Sequence, residues 1–392
     1  MEFEYWWLLA IPLFFGLGWL AARSDGRLAT RAPDNLPSAY FKGLNFLLNE
    51  QPDKAIDAFV EVVRIEPEAV ELHFALGALF RRRGETDRAI RVHQNLVDRD
   101  DLDTRERSHA LFELGQDFMK AGLIDRAEDA FNRLQGGEYA AAASRQRLEI
   151  AQMTHDWQRV IDLARDTPSE PGFDTRRVIA QAYCELATAS LAANDLDGAM
   201  AHAREAQAAV PDHPRPLIVA GQIAARQDDM AAARRSFEQL ADRSPEYVAL
   251  IADRWLAAAE ASDGAGGLRA AIARIQRLDV AARSPDILRA VADAIAKLDG
   301  KPAAAQWVRQ CQAARPSLLG LQILLELSRS PPSGHGSAAE LDEAALQNLV
   351  DRQAERLTRY ACSVCGFRAR TYYWQCPGCH RWDSYAPIRS ED

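Results

Sequence analysis

The sequence predicts an all-α fold built from a repeated pair of helices, followed by a small metal-binding domain. Gly43 and Gly77 lie 34 residues apart, and Ala55 and Ala89 are separated by the same step. A phenylalanine follows each of these glycines by three residues. This combination of a glycine, an aromatic residue and a small residue at fixed spacing is typical of a helical repeat. Near the C-terminus, two Cys-x-x-Cys pairs predict the metal site.

The repeat continues along the chain with drift. Gly43 and Ala55 stand where the two helices of one repeat cross, and a larger side chain there would hold the helices apart. The unit around residues 157–164 is degenerate, because Leu148 stands where its glycine is expected. Six units are recognisable up to Pro245, and the pattern then weakens into two more before residue 316. The frame returns clearly at Gly115, Phe118, Ala127 and Phe131, and again at Gly221, Ala233 and Phe237.

This pattern resembles the tetratricopeptide family over roughly residues 35–316. The resemblance implies a superhelical solenoid whose concave groove binds other proteins. Pro67, Pro211 and Pro245 fall at the ends of their units, where proline stops the second helix.

Length, net charge and cysteine content limit which classes of protein this chain can belong to. With 392 residues, the chain is long enough for two or three domains. Its net charge of −9 argues against non-specific nucleic-acid binding by the body of the chain. Cys184 and Cys311 stand alone and are expected to be small buried residues. With no disulfide framework, the sequence suits a reducing compartment.

The N-terminus predicts a membrane anchor. Residues 5–22 carry no charge and would form a helix about 27 Å long, close to the hydrocarbon thickness of a bilayer. Glu2 and Glu4 precede this run, whereas a signal peptide begins with positive charge. Arg23, Arg27 and Arg31 follow it, which by the positive-inside rule places the rest of the chain in the cytoplasm. We therefore predict a single-pass protein with a periplasmic N-terminus.

The expected domain boundaries follow composition. The segments are an anchor (1–22), a juxtamembrane linker (23–34), the repeat array (35–330), a Pro/Gly/Ser-rich linker (331–338) and a helix with the metal-binding domain (339–392). We expect that linker to separate the metal-binding domain from the array, so that loss of the metal unfolds the domain and leaves the helical array intact. The segment 263–267 (DGAGG) is expected to be a flexible turn between helices.

A partner-binding groove is implied by the tetratricopeptide resemblance. Arg81, Arg82 and Arg83 close the first helix of the second unit, where cations also suit a solvated helix end. Both interpretations stay open for them. The groove positions of the family map onto Tyr40, Leu44, Leu47, Phe74, Arg81, Arg82, Phe112 and Lys120.

The metal ligands are predicted to be Cys362, Cys365, Cys376 and Cys379. Two Cys-x-x-Cys pairs separated by ten residues supply four thiolates to one tetrahedral ion. Four sulfurs leave no open position for water, so a hydrolytic role is not expected. A segment this short cannot bury enough apolar surface to fold alone, so the metal is expected to be structural.

The identity of the metal stays open between two ions. The sequence CxxCG followed by CPxC resembles the knuckles of rubredoxin, which implies one iron bound by four thiolates. Zinc suits the same ligands nearly as well. The two pairs are closer together than in rubredoxin, so electron transfer is not carried over.

No catalytic motif is recognisable. The chain contains no HExxH, no GxSxG and no phosphate-binding loop. We therefore expect a protein that is not an enzyme.

An anchor, a tetratricopeptide array and a four-cysteine domain, in that order, resemble the lipopolysaccharide assembly protein B family. The resemblance implies a bacterial inner-membrane adaptor that regulates lipopolysaccharide synthesis. Its implied partners are a membrane-anchored AAA+ metalloprotease, the committed-step deacetylase of the lipid A pathway that this protease degrades, and other lipopolysaccharide synthesis or transport proteins.

Two alternatives belong to other classes. One is a generic membrane-tethered scaffold without a protease partner. The other is a nucleic-acid-binding ribbon, since the C-terminal aromatic residues are interleaved with arginines. The acidic body and the anchor argue against the second, so no nucleic-acid partner is expected.

Overall fold

A computed structural model describes residues 38–49, 51–65, 69–169, 173–278, 284–328, 338–357 and 359–389. The predicted anchor and juxtamembrane linker lie outside these ranges, as do residues 331–337 of the second linker. In the described ranges, no helix combines the length and the apolar character that crossing a membrane requires. The predicted anchor therefore stays a prediction.

The chain divides into two compact units, the first ending at Ile150. In the first unit, consecutive helices pack against each other as the repeat predicts. Its helices are α1 (Ser38–Leu48), α2 (Pro52–Ile65), α3 (Val70–Arg83), α4 (Thr86–Val97), α5 (Thr104–Ala121) and α6 (Ile124–Asn132), and α7 (Ala140–Met153) begins in it.

The second unit starts at Ala151 and contains the remaining helices and a short C-terminal ribbon. The ribbon has two strands, β1 (Tyr360–Ala361) and β2 (Arg368–Ala369), which pair antiparallel with Tyr360 opposite Ala369. A 3-10 turn spans Pro245–Leu250. The helices are α8 (Trp157–Asp166), α9 (Thr175–Ala192), α10 (Leu196–Ala209), α11 (Pro214–Arg226), α12 (Met230–Arg243), α13 (Ala252–Gln276), α14 (Pro285–Asp299), α15 (Lys301–Ala314), α16 (Leu318–Ser328) and α17 (Ala338–Leu357).

The repeat glycines lie at helix crossings, as predicted. A Cβ atom on Gly43 would lie 2.5 Å from the ring of Phe59, and one on Gly221 would lie 2.4 Å from the ring of Phe237. Gly115 has the same relation to an aromatic ring sixteen residues later. Since Cβ atoms essentially never approach closer than 3.0 Å, only glycine permits this crossing distance.

Helix ends also follow the sequence signals. Asp103 and Glu106 form a reciprocal capping box at the start of α5. Helices α10 and α12 each end two residues before a proline, Pro211 and Pro245 respectively, which confirms the predicted stops. Pro67 lies outside the described residues.

The break expected at 263–267 is found at Gly264. This residue has φ 63° and ψ −148°, which is not helical, and it joins two helical segments of α13 across a kink. Alanine-rich flanks favour the helix on both sides, and α13 packs against both α12 and α14. The break is therefore a kink at one residue, and helix continues on either side of it.

The core of the second unit extends into the ribbon. Phe237, Trp255 and Ile275 are fully buried in this core. Trp374 and Ile388 of the ribbon pack against the same cluster. The ribbon is thus part of the packed structure of this unit.

Candidate metal centre and partner-binding surfaces

The four predicted cysteines come together at one point. Their sulfur atoms all lie within 4.8 Å of one another, and no disulfide joins them. The Sγ atoms of Cys362 and Cys379 are 3.7 Å apart, and those of Cys365 and Cys376 are 3.6 Å apart. Sulfurs at the corners of a tetrahedron around an ion at about 2.3 Å would be separated by about 3.8 Å. The donor set and its spacing therefore fit one four-sulfur ion.

Two similar turns present these sulfurs. In the first, the Gly366 N–H donates to the Cys362 carbonyl at 3.0 Å, and in the second the His380 N–H donates to the Cys376 carbonyl at 2.8 Å. Gly366 and His380 occupy the same place in their turns, and both have positive φ, 73° and 54°. His380 therefore closes a turn, and it is not among the grouped candidate ligands of the described residues.

The four thiols differ in acidity. Burial raises the pKa of Cys362, but hydrogen bonds from Ser384 and from backbone N–H groups of the first turn outweigh it and lower that pKa to about 6. At Cys379 a hydrogen bond from the Arg381 backbone lowers the pKa, whereas burial and the neighbouring thiols raise it to about 12. A cation among the sulfurs would favour all four thiolates, because its charge offsets their mutual repulsion.

Asp383 of the ribbon forms a network of polar contacts with side chains of the helices. Its carboxylate accepts a hydrogen bond from Gln181 Nε2 at 2.6 Å and lies 3.3 Å from His213 Nε2. His213 Nδ1 accepts from the Arg215 backbone, which places the proton of the neutral ring on Nε2; this atom lies 3.3 Å from Asp383 and 3.1 Å from Gln181 Nε2. Gln181 is oriented likewise, since its Oε1 accepts from Arg215 Nη1. We call these four residues the Asp383 network.

Aromatic residues form a second set of contacts between the ribbon and the helical array. The rings of Trp374 and Tyr247 are nearly parallel, with centroids 5.6 Å apart. The Arg215 guanidinium lies 5.3 Å from the Trp374 ring centroid. The indole N–H of Trp382 donates to Gln152 Oε1 at 2.7 Å, near the end of α7. Two aromatic side chains of the ribbon, Trp374 and Trp382, therefore contact the helical array.

The last set of contacts between the ribbon and the array lies at the start of α14. Arg389 Nε donates to Asp286 at 3.0 Å, and a second guanidinium nitrogen pairs with the other carboxylate oxygen. The Arg389 guanidinium also lies over the ring of Tyr360 in β1. Bidentate arginine–carboxylate pairs of this kind fix orientation as well as contact.

These contacts overturn the expectation that the linker keeps the metal-binding domain separate from the array. The ribbon contacts side chains from α7, α9, α11, α14 and the 3-10 turn within the second unit. Sequence reasoning missed Gln181, Arg215, His213 and Asp383. A signal existed, because Gln181 and Arg215 are 34 residues apart and so hold the same repeat position.

A cavity of about 510 Å³ lies where the ribbon meets this array. Trp157 and Glu185 line it from the helices, and Tyr373, Pro377 and His380 line it from the ribbon. The ribbon and the array therefore share one surface depression, and its shape depends on the folded metal site.

The predicted groove residues lie in the first unit. Phe74, Arg81 and Phe112 are half-buried, whereas Leu44, Arg82 and Lys120 are exposed. Tyr40 and Leu47 belong to α1, but their side chains lie outside the described part of the chain. The assignment of this groove to a partner stays a prediction.

The structure adds a stack of rings to this region. The ring centroids of Phe74 and His109 are 4.0 Å apart, and those of His109 and Tyr139 are 5.3 Å apart. Phe112 lies 5.4 Å from Tyr139. This aromatic stack, defined by Phe74, His109, Phe112 and Tyr139, includes two residues that sequence reasoning missed.

Arg81 takes part in a partly buried charge cluster. Its guanidinium pairs with Glu113 at 2.5 Å and with Asp117 at 2.7 Å. Asp117 is fully buried and also contacts His93 Nδ1 at 2.5 Å. Burial raises the pKa of Glu113, but hydrogen bonds from His109 and Arg81 lower it to about 2. Arg81 is therefore a structural ion-pair partner as well as a groove residue.

His93 explains why this cluster exists in one repeat. It lies sixteen residues after Gly77, where other repeats carry a phenylalanine. A Cβ on Gly77 would lie 2.4 Å from the His93 ring, so histidine fills the aromatic position while presenting a nitrogen to Asp117.

The chain is similar to several known proteins. A family model described as a rubredoxin metal binding domain matches residues 360–387. Lipopolysaccharide assembly protein B of Escherichia coli strain K12 is 33% identical over 391 residues, covering 98% of each chain. The protein of that name from Haemophilus influenzae is 26% identical over 395 residues, again covering 98% of each. The C-terminal part of a TPR repeat-containing protein from Cytophaga hutchinsonii has a TM-score of 0.39, at 15% identity over 61% of this chain and 95% of its own.

Proposed function

The chain belongs to the lipopolysaccharide assembly protein B family, and on this premise we propose that it is an inner-membrane adaptor that regulates lipopolysaccharide synthesis. Its partners are a membrane-anchored AAA+ metalloprotease and the lipid A pathway deacetylase, whose degradation it promotes. Other lipopolysaccharide synthesis or transport proteins are further partners.

One observation carries the proposal: the chain offers two separate surfaces of different chemistry. The first unit has the aromatic stack beside the Arg81 charge cluster. The second unit has the ribbon seated on helices, with a cavity between them. An adaptor that joins a protease to its substrate needs two such surfaces, and aromatic side chains are common anchors at interfaces.

Membrane attachment supports the same role. Residues 5–22 anchor the chain in the inner membrane, and the main body lies on the cytoplasmic side. Confinement to the same membrane raises the effective concentration of anchored partners, so that modest affinity suffices. A reporter fused after Asp392 is expected to be active only in the cytoplasm, and periplasmic activity would refute this topology.

The metal is proposed to be one iron per chain, with zinc as the alternative. Cys362, Cys365, Cys376 and Cys379 would hold it. The bound ion supplies a structural cross-link between the two turns of the ribbon. Elemental analysis of purified protein, with one equivalent of either ion expected, decides between them.

The deciding experiment measures the half-life of the deacetylase. In a strain that lacks this protein we expect a longer half-life and more lipopolysaccharide. The full chain should restore the short half-life, whereas a variant lacking residues 1–22 should not, although its helical content should be unchanged. An unchanged half-life in the deletion strain would favour the generic membrane scaffold instead.

The nucleic-acid alternative has less support from the ribbon. Trp374 stacks on Tyr247, and Trp382 donates to Gln152, so these rings already have protein partners. Arg389 is paired with Asp286. A stacking platform needs aromatic faces that are open to bases, and the ribbon directs two of its largest rings towards the helices.

A further inference from the structure

An open apolar trough of about 630 Å³ lies between helices of the second unit, away from the metal site. Leu191 of α9, Ala225 of α11 and Met230 of α12 line one part of it, and Ala257 and Ala261 of α13 line another. The volume is within the range of about 300–1,000 Å³ typical of ligand sites.

Two arginines border the trough without a carboxylate partner. Arg226 donates to the amide oxygen of Asn194 at 3.1 Å. Among the residues that the structure describes, Arg254 has neither an ion-pair nor a hydrogen-bond partner. By contrast, nearby Arg234 and Arg274 pair with Asp263 and Asp242. The trough therefore combines an apolar floor with positive charge that no carboxylate of the described chain neutralises.

The geometry points to a helix of a partner protein, amphipathic and acidic, as the occupant of this trough. The walls are helix faces whose backbone groups bond internally, so an extended peptide would find few partners for its own backbone. A helix, by contrast, already satisfies its backbone hydrogen bonds internally. Alanine at 225, 257 and 261 allows a second helix to approach closely.

Recognition would follow the helix-in-groove mode. Apolar side chains spaced three or four residues apart would contact the floor. Carboxylates beside that stripe would pair with Arg226 and Arg254, which gives the site a preference for acidic over basic helices. This inference extends the adaptor proposal and rests on it for a physiological partner, but its binding test requires neither protease nor deacetylase.

The test uses the full chain in detergent and three probes. One is a fluorescein-labelled synthetic helix with a leucine stripe flanked by glutamates, and the second has lysines in place of those glutamates. The third is sodium dodecanoate, an apolar chain with a single carboxylate. We expect saturable binding of the acidic helix only, weakening as salt is raised because the contact is between charges.

Two variants with matched controls locate the site. The double variant Arg226→Glu and Arg254→Glu reverses its charge, and Ala257→Trp fills the trough. Each should weaken binding of the acidic helix at least about tenfold. The controls are Arg204→Glu with Arg235→Glu, which makes the same charge change on exposed residues, and Ala270→Trp on an exposed position of α13.

The controls should bind within about twofold of the unaltered chain. The proposal is overturned if the acidic helix does not bind, if both site variants bind it as the controls do, or if the lysine helix binds as tightly. Binding of dodecanoate alone would assign the trough to a small amphiphile instead. A deacetylase half-life that responds as proposed while these assays fail would leave the adaptor role standing and remove only this site.

Discussion

Asp383→Asn tests whether the metal-binding ribbon is held on the array by the Asp383 network. Asparagine matches aspartate in shape and tolerates the left-handed backbone at this position, where φ is 52°. The substitution removes the negative charge and one of two acceptor oxygens. The backbone and the neighbouring metal ligands are otherwise unaltered.

The expected magnitude follows from the contacts with Gln181 and His213, because the Arg177 side chain, 3.9 Å from the carboxylate, is largely exposed and contributes little. Gln181 can still donate to the remaining amide oxygen, but the asparagine NH₂ then faces the Nε2–H of His213, so two donors meet. A hydrogen bond to a charged group is worth about 1.5–3 kcal/mol. Losing one should increase opening of the ribbon from the array about 10- to 150-fold.

Hydrogen exchange of ribbon amides, followed by mass spectrometry in the full chain, measures this opening. Asp299→Asn is the matched control, because Asp299 pairs with Arg269 while both side chains are largely exposed. Such a surface pair is screened by solvent and contributes little to stability, and it is remote in sequence from the ribbon. If ribbon exchange in Asp383→Asn equals that of Asp299→Asn, the network does not hold the ribbon and the reasoning is refuted.

Three further predictions concern stability and metal binding. Gly221→Ala should destabilise by about 1 kcal/mol net, because overpacking of about 1–3 kcal/mol exceeds a helix-propensity gain of about 1 kcal/mol; Gly266→Ala, whose Cβ would meet nothing within 4 Å, should be neutral or stabilising in the same thermal melt. The depressed pKa of Glu113, about 2 against an ordinary 4.5, means that its ionised form stabilises the fold above pH 4.5 and that this is lost as the pH falls towards 2. Over that window the unaltered chain should lose about 3 kcal/mol more stability than Glu113→Gln, measured by urea unfolding, and parallel loss in both would contradict the assignment. Cys376→Ser should abolish the one bound ion per chain in elemental analysis and also lower the melting temperature of the helices. An unchanged melting temperature would show that the contacts between the ribbon and the array contribute little to the stability of the helices.

The repeat and its helix ends were predictable because their causes are local. Gly221 and the ring of Phe237 contact each other across sixteen residues, so one spacing carries both partners of the crossing. The glycines of 263–267 show both the reach and the limit of such reasoning. They indicated the break that occurs at Gly264, but only packing on α12 and α14 decides that the break is a kink within one element.

The groove of the first unit shows a similar limit. The repeat frame predicted Phe74, Arg81 and Phe112 as lining residues, and the structure finds all three half-buried. The sequence did not reveal that Arg81 is paired with Glu113 and Asp117, since those carboxylates lie in the next repeat. Charge pairing across repeats depends on the rotation between successive helix pairs.

By itself, the sequence determined the 34-residue helical frame and the four candidate sulfur ligands, because both depend on short spacings along the chain. The tertiary structure decided where the ribbon lies. Trp382 reaches Gln152 across 230 residues, and Asp383 reaches Gln181 across 202. No local pattern encodes such pairs, because each is polar, is one of many similar residues, and acquires its partner only when the stacked helices bring α7, α9 and α11 to one face. The candidate metal site could therefore be recognised from its cysteines, whereas its attachment to the array could only be seen in the fold.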